Sequence, residues 1–260
     1  MKVFTCLKES PSRDTRYELS PGSSWIRNAE VTHEISECDE YALEEALKLK
    51  EQHRGEVVLL TAGRAEAEKS MRKGLAMGAD RGVLILDRER ELSSPHRVAA
   101  ALEKVLKDQD YDLILTGTQS DDYGYAQTGP ILAHLLGLPH ATIVMQIQVQ
   151  EDRRSVRALR EMESGWFEWV EIPLPAVLTI QAGISQIRYA TLRGIMQARR
   201  KEIRKIELGG LGLDFSSLPH LEIERLYFPE QTSKAEMIEG TPDEVASTLV
   251  DRLRREAKVL

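Results

Sequence analysis

Residues 111–129 read YDLILTGTQSDDYGYAQTG. The run begins with a short segment whose centre, Leu113, Ile114 and Leu115, is continuously apolar, the composition of a strand buried on both faces. A polar loop punctuated by Gly117, Gly124 and Gly129 follows, and a helix is expected over residues 127–136. A buried strand that runs through a polar loop into a helix is half of a βαβ unit, and such units build parallel sheets.

The same alternation extends towards the N-terminus. Strands are expected at residues 3–7, 56–61 and 82–86, the last two reading EVVLLT and GVLIL. Pro11, Pro21 and Gly22 mark turns after the first strand. A helix is expected over 39–50 (DEYALEEALKLK), with Tyr41, Ala42, Ala46, Leu47 and Leu49 inward and Glu44, Glu45 and Lys48 in water. Ala62 and Gly63 read as a turn, residues 65–76 as a helix, and Gly78 as the residue that closes it. Ser94 and Pro95 have the N-cap and first-turn signature of a helix over 94–107.

The pattern changes towards the C-terminus. Residues 141–150, 155–162 and 166–172 read as strands joined by the turns Glu151-Asp152 and Ser164-Gly165, a β-meander added to the sheet. Residues 176–180 (AVLTI) return to a buried strand, and residues 191–201 read as a short helix ending in Arg199, Arg200 and Lys201. Residues 209–242 are loop-like. The segment Thr241-Pro242-Asp243-Glu244 then opens a last helix with a capping box, whose sparse apolar stripe is Val245, Leu249, Leu253 and Ala257. The expected fold class is α/β: a mostly parallel sheet with helices on both faces, an added antiparallel meander and a C-terminal helical arm. The expected division is a nucleotide-binding domain over 1–205 and an extended arm over 206–260, either docking on a partner or packing on its own domain.

Bulk properties narrow the function. The 260 residues carry a net charge of −7, which argues against a general nucleic-acid binder. Cys6 and Cys38 form neither a metal motif nor a disulfide framework. Buried reduced thiols suit a reducing compartment, and the expected location is the cytoplasm. No apolar run approaches the roughly 18 residues that span a bilayer. The six histidines are scattered, with no HExxH and no GxSxG elbow, so no catalytic or metal-binding constellation is expected.

In a parallel sheet, ligands bind at the carboxyl ends of strands where strand order reverses. The loop at 117–129 is therefore the leading candidate site. Its glycines allow close backbone approach. The N–H groups of Gln127, Thr128 and Gly129 at the helix start suit a phosphate, and Gln119, Asp122 and the Thr128 hydroxyl suit phosphate, ribose or base. It is neither a Walker A nor a GxGxxG motif. Residue chemistry alone leaves both a nucleotide loop and a plain βα connection open, and Asp121-Asp122 reads as a solvated turn or cap rather than a catalytic dyad.

Four ordered motifs resemble the β-subunit of electron transfer flavoproteins. Residues 75–82, LAMGADRG, look like that family's ALAMGADRG, and residues 39–46, DEYALEEA, are similar to its DEIAVEEA helix. Residues 117–129 match its G-x-Q-x-x-D-x-x-x-x-Q-T/V-G loop, and residues 188–196, RYATLRGIM, are similar to RYATLPNIM. The resemblance covers about residues 1–205. It implies an electron carrier rather than an acid/base catalyst, paired with an α-subunit that holds most of an FAD, with AMP in the β-subunit. By motif, the AMP contacts fall on Cys6, Ser36, Glu37, Cys38, Asp39, Ala62, Asp122, Tyr123, Gly124, Tyr125, Ala126, Gln127, Thr128 and Gly129, with Gln119 beside them. The segment carrying Arg188, Tyr189, Leu192, Ile195 and Met196 corresponds to the loop that docks a flavin-dependent dehydrogenase such as an acyl-CoA dehydrogenase, against the alternative that Leu192 is a core contact. A quinone-linked oxidoreductase is the implied downstream acceptor.

The sequence departs from the family pattern at two places. Ser36-Glu37-Cys38 stands where Asn-Pro-Phe is common, and Glu37 would repel a phosphate. Tyr123-Gly124-Tyr125 stands where many members have acidic or small residues, and Pro130 after Gly129 resembles the electron-bifurcating branch, whose β-subunit binds a second FAD and NADH. A reading of another class is an adenine-nucleotide regulatory module similar to universal stress proteins.

Overall fold

The apolar run at the N-terminus forms β1 (Lys2–Cys6) in the interior of a nine-stranded sheet. The structure is a computed structural model that describes residues 1–19, 26, 31–229 and 235–260. The turn expected at Pro21 and Gly22 lies outside the described residues. Alternate side chains of β1 serve opposite layers. Val3 packs in one core with α1 (Glu37–His53) and α2 (Glu68–Met77), while Phe4 and Cys6 pack in a second with α3 (Pro95–Leu106) and α4 (Thr128–Leu136). Helices therefore cover both faces of the sheet. That is why its inner strands are apolar throughout rather than alternating.

After β1, a small antiparallel pair, β2 (Glu9–Pro11) and β3 (His33–Ile35), leads into α1. The chain then adds β4 (Glu56–Gly63) beside β1 and β5 (Arg81–Leu86) beside β4, both parallel. It crosses back to place β6 (Leu113–Gly117) on the other side of β1, also parallel. The remaining strands are β7 (His140–Val149), β8 (Ser155–Glu161), β9 (Phe167–Pro173), β10 (Ala176–Ile180) and β11 (Ile203–Glu207). The full order is β11-β5-β4-β1-β6-β10-β7-β8-β9. Pairing is parallel from β11 to β7 and antiparallel only in the meander β7-β8-β9. Strand order reverses between β1 and β6, so the crevice at their carboxyl ends is the switch point of the sheet.

Most expected elements stand within a few residues of their reading. Ser94 caps α3, its Oγ accepting from the Arg97 N–H at 3.3 Å. Gly78 closes α2, and the capping box of α6 (Pro242–Arg255) is formed, with the Thr241 N–H donating to Glu244 Oε2 at 2.8 Å.

Four readings need correction. Ala62 and Gly63 are strand, because β5 continues alongside and pairs Ala62 with Ile85 and Gly63 with Leu86. The helix expected at 65–76 opens as a 3-10 turn at Ala65–Ala67 before α2. The helix expected over 191–201 is only Leu192–Ala198, here α5, and β11 follows it as an edge strand. Glu44 and Glu45 of α1 are buried, not wet. Glu44 is matched by the Arg188 guanidinium at 2.9 Å and Glu45 by Lys48 at 2.8 Å, and such pairing lets a carboxylate leave water.

Ile206 of β11 packs on the α3–α4 core, and beyond the strand Leu208 is buried there with Leu211, Leu213 and Phe215 packed against it. The arm is tied there. The Pro219 carbonyl accepts from Ser94 Oγ at 2.6 Å and the Phe215 carbonyl from Arg97 Nη2 at 2.8 Å. Helix α6 buries no residue.

Candidate functional site

The site grows from the carboxyl end of β1. The strand ends at Cys6, and Lys8 follows two residues on, where its backbone meets the start of α1. The Lys8 N–H donates to Asp39 Oδ2 at 2.8 Å and its carbonyl accepts from the Ser36 N–H at 2.9 Å. Asp39 uses its other oxygen on the far side of the crevice, accepting from the Gly117 N–H at 2.6 Å. One buried carboxylate thus ties the ends of β1 and β6 together across the switch point. Burial pushes the Asp39 carboxyl up to about 7, against the lowering effect of the Lys8 and Gly117 amides.

The loop after β6 is fastened to the same helix start. Ser36 Oγ, fully buried, accepts from the Asp121 N–H at 3.0 Å, and the Glu37 N–H donates to Asp121 Oδ2 at 3.0 Å. The repulsion expected from Glu37 is moderated by Arg13, whose guanidinium lies 3.1 Å from Glu37 Oε1. Lys8 Nζ donates to Ser120 Oγ at 3.1 Å and to Asp122 Oδ1 at 2.5 Å. Burial works against the ionised Asp122, but Lys8, with the Ser120 hydroxyl and the Tyr123 amide, holds the carboxyl below its usual range. Tyr123 and Tyr125 stack with ring centroids 5.3 Å apart, and Lys8 Nζ sits 4.4 Å from the Tyr123 centroid. Gly124 and Ala126 both have positive φ, 61° and 54°. For Ala126 this is a strained backbone immediately before the helix.

Helix α4 begins beneath this loop. Gly129 is buried, and a Cβ there would collide with Thr179 Cγ2 and Thr116 Oγ1. Only glycine lets the helix start sit so close to β6 and β10. Thr179 Oγ1 accepts from the Ile143 N–H at 3.1 Å and lies 3.4 Å from Thr118 Oγ1. Thr128 and Gly129 hold the first two helical positions, where N–H groups have no intrahelical partner. Pro130, third, brings no N–H at all.

The residues picked from the sequence divide into layers. Cys6, Ser36, Cys38 and Asp39 are buried under the crevice, Ala62 is half-buried at the end of β4, and Gln119 and the 122–127 stretch are exposed at its mouth. Both cysteines are free and buried, and burial raises both thiols. Lys8, Arg13, Thr116 and Thr179 were not picked. The position of Lys8 just past the end of the first strand was the available signal for it. The other three carry no motif.

The segment 188–198 sits apart, on α2. Arg188 makes bidentate contacts with Glu44, at 2.9 and 3.0 Å, and reaches Glu51 at 2.5 Å, so it anchors the segment to α1. Thr191 Oγ1 caps α5 by accepting from the Gly194 N–H at 3.0 Å. A Cβ on Gly194 would collide with the Ala76 carbonyl, so α5 lies tightly on α2. The two helices cap each other. Arg72 Nη1 donates to the carbonyls of Ala198 (2.7 Å) and Lys201 (2.6 Å), and Lys201 Nζ to those of Leu75 (2.9 Å) and Ala79 (2.5 Å). The outward face is apolar: Tyr189 is 94% exposed, Leu192 83%, Met196 72% and Ile195 44%. Leu192 is therefore not a core contact.

Fold and crevice define a class: a doubly wound α/β protein of the kind that takes its ligand at the carboxyl edge of a parallel sheet. The profile of the family described as "Electron transfer flavoprotein domain" matches residues 25–209. The electron transfer flavoprotein subunit beta of Methylophilus methylotrophus is 36% identical over 256 residues, covering 96% of this chain and 97% of that one. The subunit of the same name from Bacillus subtilis is 36% identical with both chains covered in full, and that of Homo sapiens is 33% identical over 95% of this chain and 96% of its own. The chain belongs to the electron transfer flavoprotein β-subunit family, a family of electron-transport flavoproteins. Among the described residues, no helix is long and apolar enough to cross a membrane, and no group of three or more His, Cys, Asp or Glu could hold a metal.

Proposed function

We propose that the chain is the β-subunit of a heterodimer that carries electrons from flavin-dependent dehydrogenases to a quinone-linked acceptor. In this reading it binds AMP at the β1–β6 crevice and pairs with an α-subunit holding most of the FAD. The observation that carries the nucleotide reading is the start of α4, pressed onto Thr116 and Thr179 through Gly129 at the switch point of the sheet. The residues fit an adenylate. Thr128 and Gly129 offer amides and a hydroxyl to a phosphate. The nearby carboxylates are each engaged: Asp122 by Lys8, Glu37 by Arg13, and Asp39 by two backbone amides. Gln119 stands at the mouth for ribose or base.

The flavin supplies the redox chemistry when bound, and this chain supplies position and electrostatics. Its own part is to hold the nucleotide as a fixed brace, which stabilises the folded state by mass action, and to present a docking face. Leu192, with Tyr189, Ile195 and Met196 around it, forms an exposed apolar knob bordered by Arg193, Arg199 and Arg200. That combination suits a dehydrogenase surface with an apolar pocket and an acidic rim. The exposed face of α6 and the arm beyond Pro219, past the part tied to α3, are assigned to packing on the α-subunit. The compartment proposed is the cytoplasm, on the two free, buried thiols.

Extraction of nucleotides from the co-purified heterodimer tests the assignment. One AMP and one FAD per heterodimer are expected. Two FAD and no AMP would replace this reading with a bifurcating one.

A further inference from the structure

We infer that Lys8 is a positioning residue that latches the 118–126 loop over the crevice and so sets how fast the nucleotide leaves. The inference rests on the proposed nucleotide reading and goes beyond it, because the motifs that suggest AMP contacts pass over Lys8.

Lys8 commits both its backbone and its side chain to the crevice, on different elements. Its N–H and carbonyl are used by Asp39 and Ser36 at the start of α1. Its ammonium spans to the loop more than a hundred positions away, donating to Ser120 Oγ at 3.1 Å and Asp122 Oδ1 at 2.5 Å. The same nitrogen lies 4.4 Å from the centroid of Tyr123, which is stacked on Tyr125. Two hydrogen bonds and a ring face therefore orient the ammonium group. The loop it holds has backbone reasons to open. Gly124 and Ala126 are left-handed, and Gln119 and residues 121–127 are exposed. The ties from the Ser36 Oγ and the Glu37 N–H are made to Asp121, at the start of this stretch. Beside them, Lys8 joins Ser120, Asp122 and Tyr123 to the segment that follows β1.

A latch of this kind acts on release more than on the folded core. Its side chain is partly exposed, 38% against 20% for Asp122, so salt weakens it. A fluorescent AMP analogue loaded into the full chain, followed by its dissociation rate on a chase with AMP, reads the latch directly. The Lys8→Gln and Asp122→Asn variants are each expected to release it about tenfold faster, roughly the loss of one charge-assisted bond. The double variant should release it no faster than Lys8→Gln alone, since that variant has already lost the Lys8–Asp122 contact. Lys8→Arg should restore most of the slow rate. Dissociation from the parent chain should accelerate with ionic strength, and that from Lys8→Gln should not. A general loss of structure would give neither the non-additivity nor the rescue.

A ligand-independent measurement separates the two readings. Amide hydrogen exchange over residues 118–126 in the nucleotide-free chain should be faster in Lys8→Gln than in the parent, with the rest of the sheet unchanged. If the parent binds no AMP analogue, the nucleotide reading fails, and the exchange experiment still decides whether Lys8 holds the loop. Unchanged release and unchanged exchange in Lys8→Gln overturn the latch.

Discussion

The crevice at 117–129 and the knob at 188–198 use the same device for opposite ends. Each is an irregular segment that runs into a helix whose early glycine is pressed against a neighbour: Gly129 on Thr116 and Thr179, Gly194 on the Ala76 carbonyl. At the crevice the anchoring groups are polar and buried, and the backbone amides are left for a ligand. At the knob the anchoring groups are Arg188, Arg72 and Lys201, which satisfy carboxylates and carbonyls on the inner side and leave the outer side apolar. A site for a small anion needs unspent donors. A docking face needs none, but it needs its apolar groups kept out of its own core.

The comparison can be broken most severely at Arg188. Arg188→Ala leaves Glu44, almost wholly buried, without its guanidinium and with the residue-188 N–H still donating to it. The expected loss is about 3 kcal/mol, the scale for breaking a buried ion pair, measured by denaturant unfolding. Lysine should recover only part of it, because it cannot make the bidentate contact. Gly129→Ala should cost about 2 kcal/mol by overpacking and should abolish AMP retention. Normal retention would mean that the close approach of α4 to the sheet is not what shapes the site. Leu192→Ala should leave stability within about 0.5 kcal/mol while slowing electron transfer from a dehydrogenase about tenfold. Loss of nucleotide in that variant would show that the two regions are not independent.

An effect that depends on pH is expected at Asp39. Its folded pKa is raised to about 7, above the usual value of about 4. The folded chain therefore holds the proton more tightly than the unfolded chain does. The group's contribution is full below about pH 4, is lost as pH rises to about 7, and is flat above. Asp39→Asn removes this slope. The unfolding free energy of the parent minus that of the variant should fall between pH 5 and pH 7, and a constant difference would sink the assignment.

The loop was legible because its glycines and following helix lie consecutively in the chain. The supports of the loop were not. Ser36, Asp39 and Lys8 reach it across 78 to 114 positions, and nothing local marks which hydroxyl or carboxylate will meet which amide. The edge strand β11 was missed for a related reason. Its sequence, IRKIE, has two apolar residues among charges, and only pairing with β5 makes it a strand. The knob was legible as a motif, and the exposed reading of Leu192 stood ahead of a core contact because a basic cluster lies beside it in the chain; the structure leaves Leu192 exposed.

The sequence by itself determined the alternation of strands and helices, the helix caps at Ser94 and Thr241, and the polar loop entering α4. These follow from steric and hydrogen-bonding preferences acting over a few residues. The tertiary structure alone decided the strand order, and with it the switch point between β1 and β6. It also decided the burial of Glu44 and Glu45 and the joining of Lys8 to Asp122. Each of these depends on groups far apart in the chain, and the free energy that fixes them is released only when the sheet closes and water leaves its two faces.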